Sequence, residues 1–486
     1  MGVYNSYFFC MSLRNLIDHF KHRKAVEILT TADPGKMLHA GDAKLIGAFR
    51  RALRVPAYQS ILKERGVDAD SVQDVASYRK LVPTLTKESF FLPFELHEYC
   101  VDGSLENVTS YMTSSGHTGV FSFGVIDKDQ AGTTTFSTDS ILEYGFLIDE
   151  QSTLFINALP MGVRVFSNLP VVDVSVRCDM AIAILKKVSK YYKQTLIITD
   201  PYFLKHLIEE GCKANVPWAT LNVSFITGGD FLTEPMRRYL EWLTELNFAK
   251  AGGRVLISTM GVAELELNLF HETRQSVLIR RLAYDDVEFR KALFGEASLS
   301  QVCPQFMHYY PHRIFLETDT ENGHDDGELL FSILNDKARV PLMRYRTGDS
   351  GRLITYDRVM EVLREFGHPE MAPDLKLPFV AVYGRTDKFV MYEGHRITPL
   401  LVEQGLYEDM DVAKSITGQI FLHVDEGHVT IELQMQKGIE PTDALRESCI
   451  RAAMHYLPCE VPVTLYRYGE YPHGMEFDFE RKVAKV

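Results

Sequence analysis

Apolar residues recur at helical spacing early in the chain. Leu13, Leu16, Ile17 and Phe20 mark one face over residues 12–30, and Leu45, Ile46, Phe49 and Leu53 mark another over 44–55. The spacing predicts that the first hundred residues are mainly helical. From about residue 152 the rhythm changes to short β-rich runs alternating with amphipathic helices, at 152–159, 180–192, 194–199, 202–211, 222–227, 234–247 and 254–259. Strand and helix in alternation predict a parallel sheet with helical crossovers.

Beyond residue 300 the helical pattern thins, and Asn322-Gly323 and Asp326-Gly327 supply turn residues between apolar runs, which predicts a β-rich subdomain. After about residue 385 the pattern changes again. A hairpin is expected to pair 419–424 with 429–435 around Asp425-Glu426-Gly427-His428, followed by a helix at 442–456. The expected fold is α/β: a large N-terminal domain, residues 1–385, with parallel-type sheets, helices and a β-rich subdomain, then a small, mobile α+β C-terminal domain, residues 386–486. No internal repeat or low-complexity segment interrupts this plan.

Composition narrows the class. The 486 residues are 46% hydrophobic and 24% charged, which excludes disordered, collagenous and coiled-coil chains. Acidic residues outnumber basic ones by 65 to 52, and the net charge of -13 argues against a general affinity for nucleic acid. No apolar run reaches the ~18 to 20 residues of a membrane span, and the N-terminus lacks a secretory pattern. The expected compartment is therefore the cytoplasm, without stable membrane insertion. Met1-Gly2-Val3-Tyr4-Asn5-Ser6 fits a loose myristoylation pattern that is common by chance. The seven cysteines include no CxxC pair and read as reduced thiols, with Cys449 on the buried side of a helix beside Leu445. His308 and His312 flank Tyr309-Tyr310-Pro311, which predicts a strand and turn rather than a zinc-binding helix.

Several loops carry candidate chemistry. Thr113-Ser114-Ser115-Gly116-His117-Thr118-Gly119 packs four hydroxyls and two glycines into seven residues, the donors and close backbone approach that a polyphosphate needs. A Ser/Thr-rich surface turn would look the same, and no GK[ST] follows to make a Walker loop. Thr227-Gly228-Gly229-Asp230 and Met260-Gly261-Val262-Ala263-Glu264 each follow an apolar run, so both should open onto the crevice beyond the strand ends of a parallel sheet. Glu264 would equally suit the first turn of a helix. In Arg344-Tyr345-Arg346-Thr347-Gly348-Asp349 a carboxylate fixed by a glycine turn can accept two ribose hydroxyls, while Arg346 can neutralise a phosphate or pair a carboxylate. Gly384-Arg385-Thr386-Asp387-Lys388 and Gly394-His395-Arg396 straddle the composition change, as a hinge or a plain linker would.

Taken together, in order and spacing, these segments resemble the adenylate-forming superfamily of acyl-CoA synthetases, luciferases and nonribosomal adenylation domains, above all its phenylacetate-CoA ligase-like branch. The resemblance rests on Thr113 to Gly119, Thr227 to Asp230, the motif ending at Glu264, Tyr345 to Asp349 and Gly384 to Asp387. It implies that the first loop holds the phosphates of ATP, that Gly228, Gly229, Asp230, Met260 and Gly261 line the adenine site, and that Glu264 holds Mg2+. Asp349 would bind ribose, Arg346 would act in catalysis, Asp387 would be the hinge, and Gly394 would lie beside a thiol channel. Lys482 matches the family's catalytic lysine best, with Lys485 as the alternative.

The implied reaction is ATP-dependent activation of a small carboxylic acid to an acyl-AMP, then transfer to a thiol, most simply coenzyme A. An acyl carrier protein, an amine or a protein cysteine are alternative acceptors. The sequence departs from the family pattern at Met260, where an aromatic residue is usual, at Ala263, where Ser or Thr is usual, and at Arg481, where glycine usually precedes the lysine. These departures keep open a non-catalytic homologue that binds a nucleotide or acyl-adenylate. The apolar residues around Leu159-Pro160-Met161-Gly162-Val163 suit an aryl or medium-chain acid. Because a protonated His117 would add positive charge beside the phosphates, His117→Ala is expected to remove the gain in ATP affinity below pH ~6.5. An unshifted pH profile of the KM for ATP would contradict that role.

Overall fold

A computed structural model describes residues 13–114, 120–248, 250, 252–319, 326–474, 478–480 and 485. The loop residues Ser115, Gly116, His117, Thr118 and Gly119, the Asn322-Gly323 pair, Lys482 and the N-terminal lipidation pattern lie outside the described residues. Helices occupy most of the first hundred residues, beginning with Leu13–Thr31, Pro34–Ala52 and Pro56–Glu64. The run expected over 44–55 forms the end of the second helix, which stops at Ala52 before Pro56 opens the third.

Eighteen strands follow among the described residues. A hairpin of β1 (Val108–Thr113) and β2 (Phe123–Asp127) stands by itself. The remaining strands of the first 385 residues form one eleven-stranded sheet: β3 (Thr153–Asn157), β4 (Val171–Asp173), β5 (Gln194–Thr199), β6 (Val223–Thr227), β7 (Leu256–Val262), β8 (Glu266–His271), β9 (Gln305–Tyr309), β10 (Ile314–Asp319), β11 (Asp326–Ile333), β12 (Tyr345–Ile354) and β13 (Phe379–Arg385). Their spatial order is β10-β11-β12-β13-β9-β8-β7-β6-β5-β3-β4. From β4 to β7 the pairing is parallel, and from β7 to β10 it is antiparallel.

The parallel half follows from the sequence rhythm. Crossover helices Cys178–Lys187, Pro201–Lys213 and Glu234–Thr244 cover its faces, so β3 and β6 are buried along their whole length. Two loop expectations are corrected. Asp326-Gly327 does not turn; it opens β11, because Gly327 packs so closely on Asp319 that a Cβ would lie 2.4 Å from the Asp319 carbonyl oxygen. The Tyr345–Asp349 segment is also not a turn but the first half of β12, with a positive φ of 85° at Gly348 placed inside the strand.

The C-terminal hundred residues carry a short hairpin of β14 (Val390–Tyr392) and β15 (His395–Ile397), and a second sheet of β16 (Ile416–Asp425), β17 (His428–Met435) and β18 (Val463–Tyr466). The β16–β17 hairpin turns through Glu426 and Gly427, both at positive φ. This unit packs on the parallel half. Fully buried Glu403 accepts a hydrogen bond from the Tyr202 hydroxyl at 2.5 Å, and Gln404 accepts one from the Cys303 amide at 3.2 Å.

Beneath the sheet, Arg237 is wholly buried between Glu234 and Glu272, the latter at 2.7 Å, with Arg280 on the other side of Glu272 at 3.4 Å. Buried charges persist only when paired. Arg237→Met removes the cation shared by two buried carboxylates, leaving Glu272 with Arg280 and Glu234 with Arg281, and is expected to lower stability by ~3 kcal/mol, read as a fall in the denaturant midpoint.

Candidate functional site

The carboxyl ends of the parallel strands, the β7–β8 hairpin and the antiparallel strands β11 to β13 open onto one cavity of about 1500 Å³. In an open α/β sheet this is where ligands are bound. β6 delivers Gly228, Gly229 and Asp230 to its wall, and the amide of Gly228 donates to the Thr199 carbonyl of neighbouring β5 at 2.9 Å. Thr113 and Ser114 approach from β1, where the mouth of the loop is closed by Ser114 N–H to Ser122 O and Ser122 N–H to Ser114 Oγ, both 3.1 Å.

Met260 and Gly261 were expected in a loop; they are instead the continuation of β7, which runs to Val262 before a tight turn at Ala263-Glu264-Leu265 leads into β8. Gly261 is needed for this hairpin, since a Cβ there would lie 2.1 Å from the Leu267 carbonyl oxygen. Glu264 is thus on a strand turn and not at a helix N-terminus. Its Oε1 accepts from the Tyr345 hydroxyl at 2.7 Å, while its Oε2 is buried with no hydrogen-bond partner among the described residues. Burial and the adjoining Glu264 raise the Tyr345 phenol above its usual range, so it stays protonated and donates. A carboxylate with one oxygen fixed and the other unsatisfied fits a hard divalent cation such as Mg2+.

Asp349 lies in β12 opposite Arg385 of β13, and its Oδ2 accepts from Thr347 Oγ1 at 2.7 Å. Arg385 grips Asp387 with two parallel bonds of 2.8 and 2.9 Å, which holds the Asp387 carboxyl below its usual range. Thr347, Asp349, Arg385 and Asp387 all line the cavity. Arg346, its neighbour in the same motif, does not: the pleat sends it to Glu328 at 2.6 Å and to Asp319. Gly394 also stays off the wall, at the tip of the β14–β15 hairpin with φ 80°, although the adjacent His395 and Arg396 reach it.

Of the two candidate lysines, the described one reaches the wall, and Glu403, which pairs with it, carries no signal in the sequence. Lys485 lines the cavity and pairs with the Tyr202 hydroxyl and with Glu403 Oε2, the latter at 3.4 Å. Glu403 sits mid-helix in an apolar stretch, where only the packed fold reveals its partners. His455 to Pro458 close the C-terminal side. At the opposite end Ile141, Phe146, Phe155, Val165, Ile198 and Ile257 form an apolar wall.

Asp200 begins the helix that carries Tyr202, accepting from the Tyr202 and Phe203 amides at 2.9 Å each. Burial, reinforced by Asp230 against the Phe203 amide bond, pushes its carboxyl up to about 7. A pKa raised in the folded state favours folding at low pH, and that advantage is lost as pH climbs from the unfolded value of ~4 towards 7. Asp200→Asn keeps the cap without the titration. Its unfolding midpoint relative to the unsubstituted protein is therefore expected to rise between pH 4 and pH 8, a comparison made by denaturation at both ends.

No protein-family model matches the sequence, and no curated protein matches it. Solved structures do. A 2-hydroxyisobutyryl-CoA ligase in the postadenylation state, in complex with R3-HIB-AMP, is similar at 13% identity over 95% of this chain and 92% of that one, with a TM-score of 0.69. The same ligase with 2-HIB-AMP and CoA in the thioesterification state gives 14% identity, 91% and 88% coverage and a TM-score of 0.56. An open conformation gives 13% identity, 88% coverage of each chain and a TM-score of 0.53. Among the described residues, no helix is long and apolar enough to cross a membrane. The chain has the fold of the adenylate-forming acyl-CoA ligases.

Proposed function

We propose that this chain activates a carboxylic acid with ATP and passes the acyl group to a thiol, most simply coenzyme A. The observation that carries the reading is the convergence of Gly228-Gly229-Asp230, the β7–β8 turn with its half-satisfied Glu264, and Thr347–Asp349 on one cavity. Two strand-end turns and a stretch of β12, far apart in sequence, meet where a nucleotide would need an adenine slot, a ribose acceptor and a cation-bearing carboxylate. A solved ligase of this fold in complex with an acyl-AMP and CoA supports the same sequence of steps.

A carboxylate is a poor acyl donor because oxide is a poor leaving group. In the first half-reaction a carboxylate oxygen attacks the α-phosphorus of ATP, the bond to the β-phosphate oxygen breaks, and pyrophosphate departs. Two anions must meet, so catalysis is largely positioning and neutralisation. Asp349 would hold the ribose, Gly228 to Asp230 and Met260 the adenine, and Thr113 and Ser114 with the following loop the phosphates. Mg2+, held by Glu264, would neutralise phosphate charge. Arg346 acts at one remove, by fixing the strand that carries Asp349. Lys482 would bridge the carboxylate and the α-phosphate.

In the second half-reaction the thiol sulfur attacks the acyl carbonyl carbon and AMP leaves with the bonding pair. Residues 386–486 would form the smaller domain that turns about Asp387 between the two steps, with Gly394 on its leading hairpin. Cys449 is a poor acyl acceptor, being fully buried with its thiol pushed up to about 12. The apolar wall suits an aryl or medium-chain acid, since Ile141, Phe146, Phe155, Val165, Ile198 and Ile257 offer only hydrophobic side chains there.

Pyrophosphate release over a panel of aryl, fatty and amino acids tests the reading. An aryl or medium-chain acid is expected to stimulate release, with a CoA thioester formed when coenzyme A is added. Lys482→Ala is expected to lower the release rate about a hundredfold or more. Lys485→Ala, which frees Glu403, is expected to cost less than about tenfold. No release with any acid would overturn the proposal.

A further inference from the structure

Away from the cavity, the C-terminal sheet brings together two histidines and a glutamate that the ligase reading does not use. His423 is on β16, Glu432 on β17, and His473 follows β18. In the β16–β17 ladder Phe421 is opposite Glu432 and His423 opposite Thr430, so His423 and Glu432 share a face on a diagonal. The intervening Ile420 and Leu422, with their partners Leu433 and Ile431, fill the core on the other face. His473 arrives from outside the strands and lies flat on Phe421, ring centroids 3.6 Å apart, with Tyr471 edge-on at 5.3 Å.

One ligand atom from each of His423, Glu432 and His473 lies within 4.8 Å of the others. The inner two members are held in place. Glu432 is only 7% exposed, with Oε1 accepting from the Tyr466 hydroxyl at 3.0 Å and Oε2 2.5 Å from His473 Nε2. Such a phenol bond to the spare oxygen is the outer support that carboxylate ligands commonly have. His423 is on the exposed rim; bonds of about 2 Å need ligand atoms ~3.5 Å apart, so zinc would draw His423 inward and take the place of the hydrogen bond between Glu432 and His473.

We propose that His423, Glu432 and His473 form a Zn2+ site, with solvent in the fourth position. Two imidazoles and one carboxylate suit zinc, whereas Mg2+ and Ca2+ prefer all-oxygen sets. None of the three residues lines the cavity, so the site is separate from the proposed Mg2+ position at Glu264. Zinc here would fasten the segment after β18 to β16. The same strand receives the tail again further on, where the Leu422 amide donates to the Lys485 carbonyl at 3.0 Å.

Calorimetric titration of ZnCl2 into the full chain, stripped of metal with a chelator, tests this without reference to ligase activity. One Zn2+ per chain is expected. His423→Ala, whose side chain is on the surface and so leaves folding intact, and Glu432→Gln are each expected to weaken binding about tenfold or more. His428→Ala, on the same hairpin but outside the cluster, should bind as the unsubstituted chain does. No uptake of Zn2+, unchanged affinity in His423→Ala, or an equal loss in His428→Ala would each overturn the assignment.

Discussion

The change of strand direction between β7 and β8 is the constraint on which the cavity depends. Up to β7 the strands run parallel, and parallel strands must end on the same side, which places the loops after β3, β5, β6 and β7 along one edge. At β7 the chain folds straight back as β8, and the turn leaves Glu264 at that edge. The antiparallel strands beyond then bring β12 close enough for Tyr345 to bond Glu264 at 2.7 Å. One hydrogen bond ties the two halves of the sheet across the site. Without Gly261 the two strands could not approach, and the halves would not share a carboxylate.

Polar groups in the interior follow the same logic. Glu403, Glu272 and Arg237 are buried because each has a charged or hydroxyl partner, and the Glu403 contact crosses between sequence-distant units. The contact of Glu403 with Tyr202 seats the C-terminal unit on the helix capped by Asp200, whose carboxyl feels the charge of Asp230. The packing of that unit is thereby linked to the Asp230 side of the cavity.

Much of this was legible in the chain. Alternating runs at 194–199, 202–211 and 222–227 match β5, the Pro201–Lys213 helix and β6 almost residue for residue, because strands buried on both faces and amphipathic crossovers have distinct periods. The β16–β17 hairpin was equally plain from its Glu426-Gly427 turn. Strand limits near glycine were not. Gly261, Gly327 and Gly348 read as turns, but each serves a close approach or a positive φ inside a strand. Lys485 was named from the tail, but its pairing with Glu403 and the meeting of His423 with His473 depend on long-range packing that leaves no local pattern. The motif residues were easier: Gly228 to Asp230, Met260, Glu264 and Asp349 all reach the cavity, whereas Arg346 and Gly394 lie beside it.

The central claim is that segments far apart in sequence surround one nucleotide. A crystal structure of the chain with an acyl-sulfamoyl adenosine, a stable mimic of an acyl-adenylate, addresses it most directly. The account predicts adenine against Gly228-Gly229-Asp230, both ribose hydroxyls on Asp349 and the acyl group against Ile141, Phe155 and Ile257. An analogue bound elsewhere, or one seated in the cavity without touching Asp349, would contradict it.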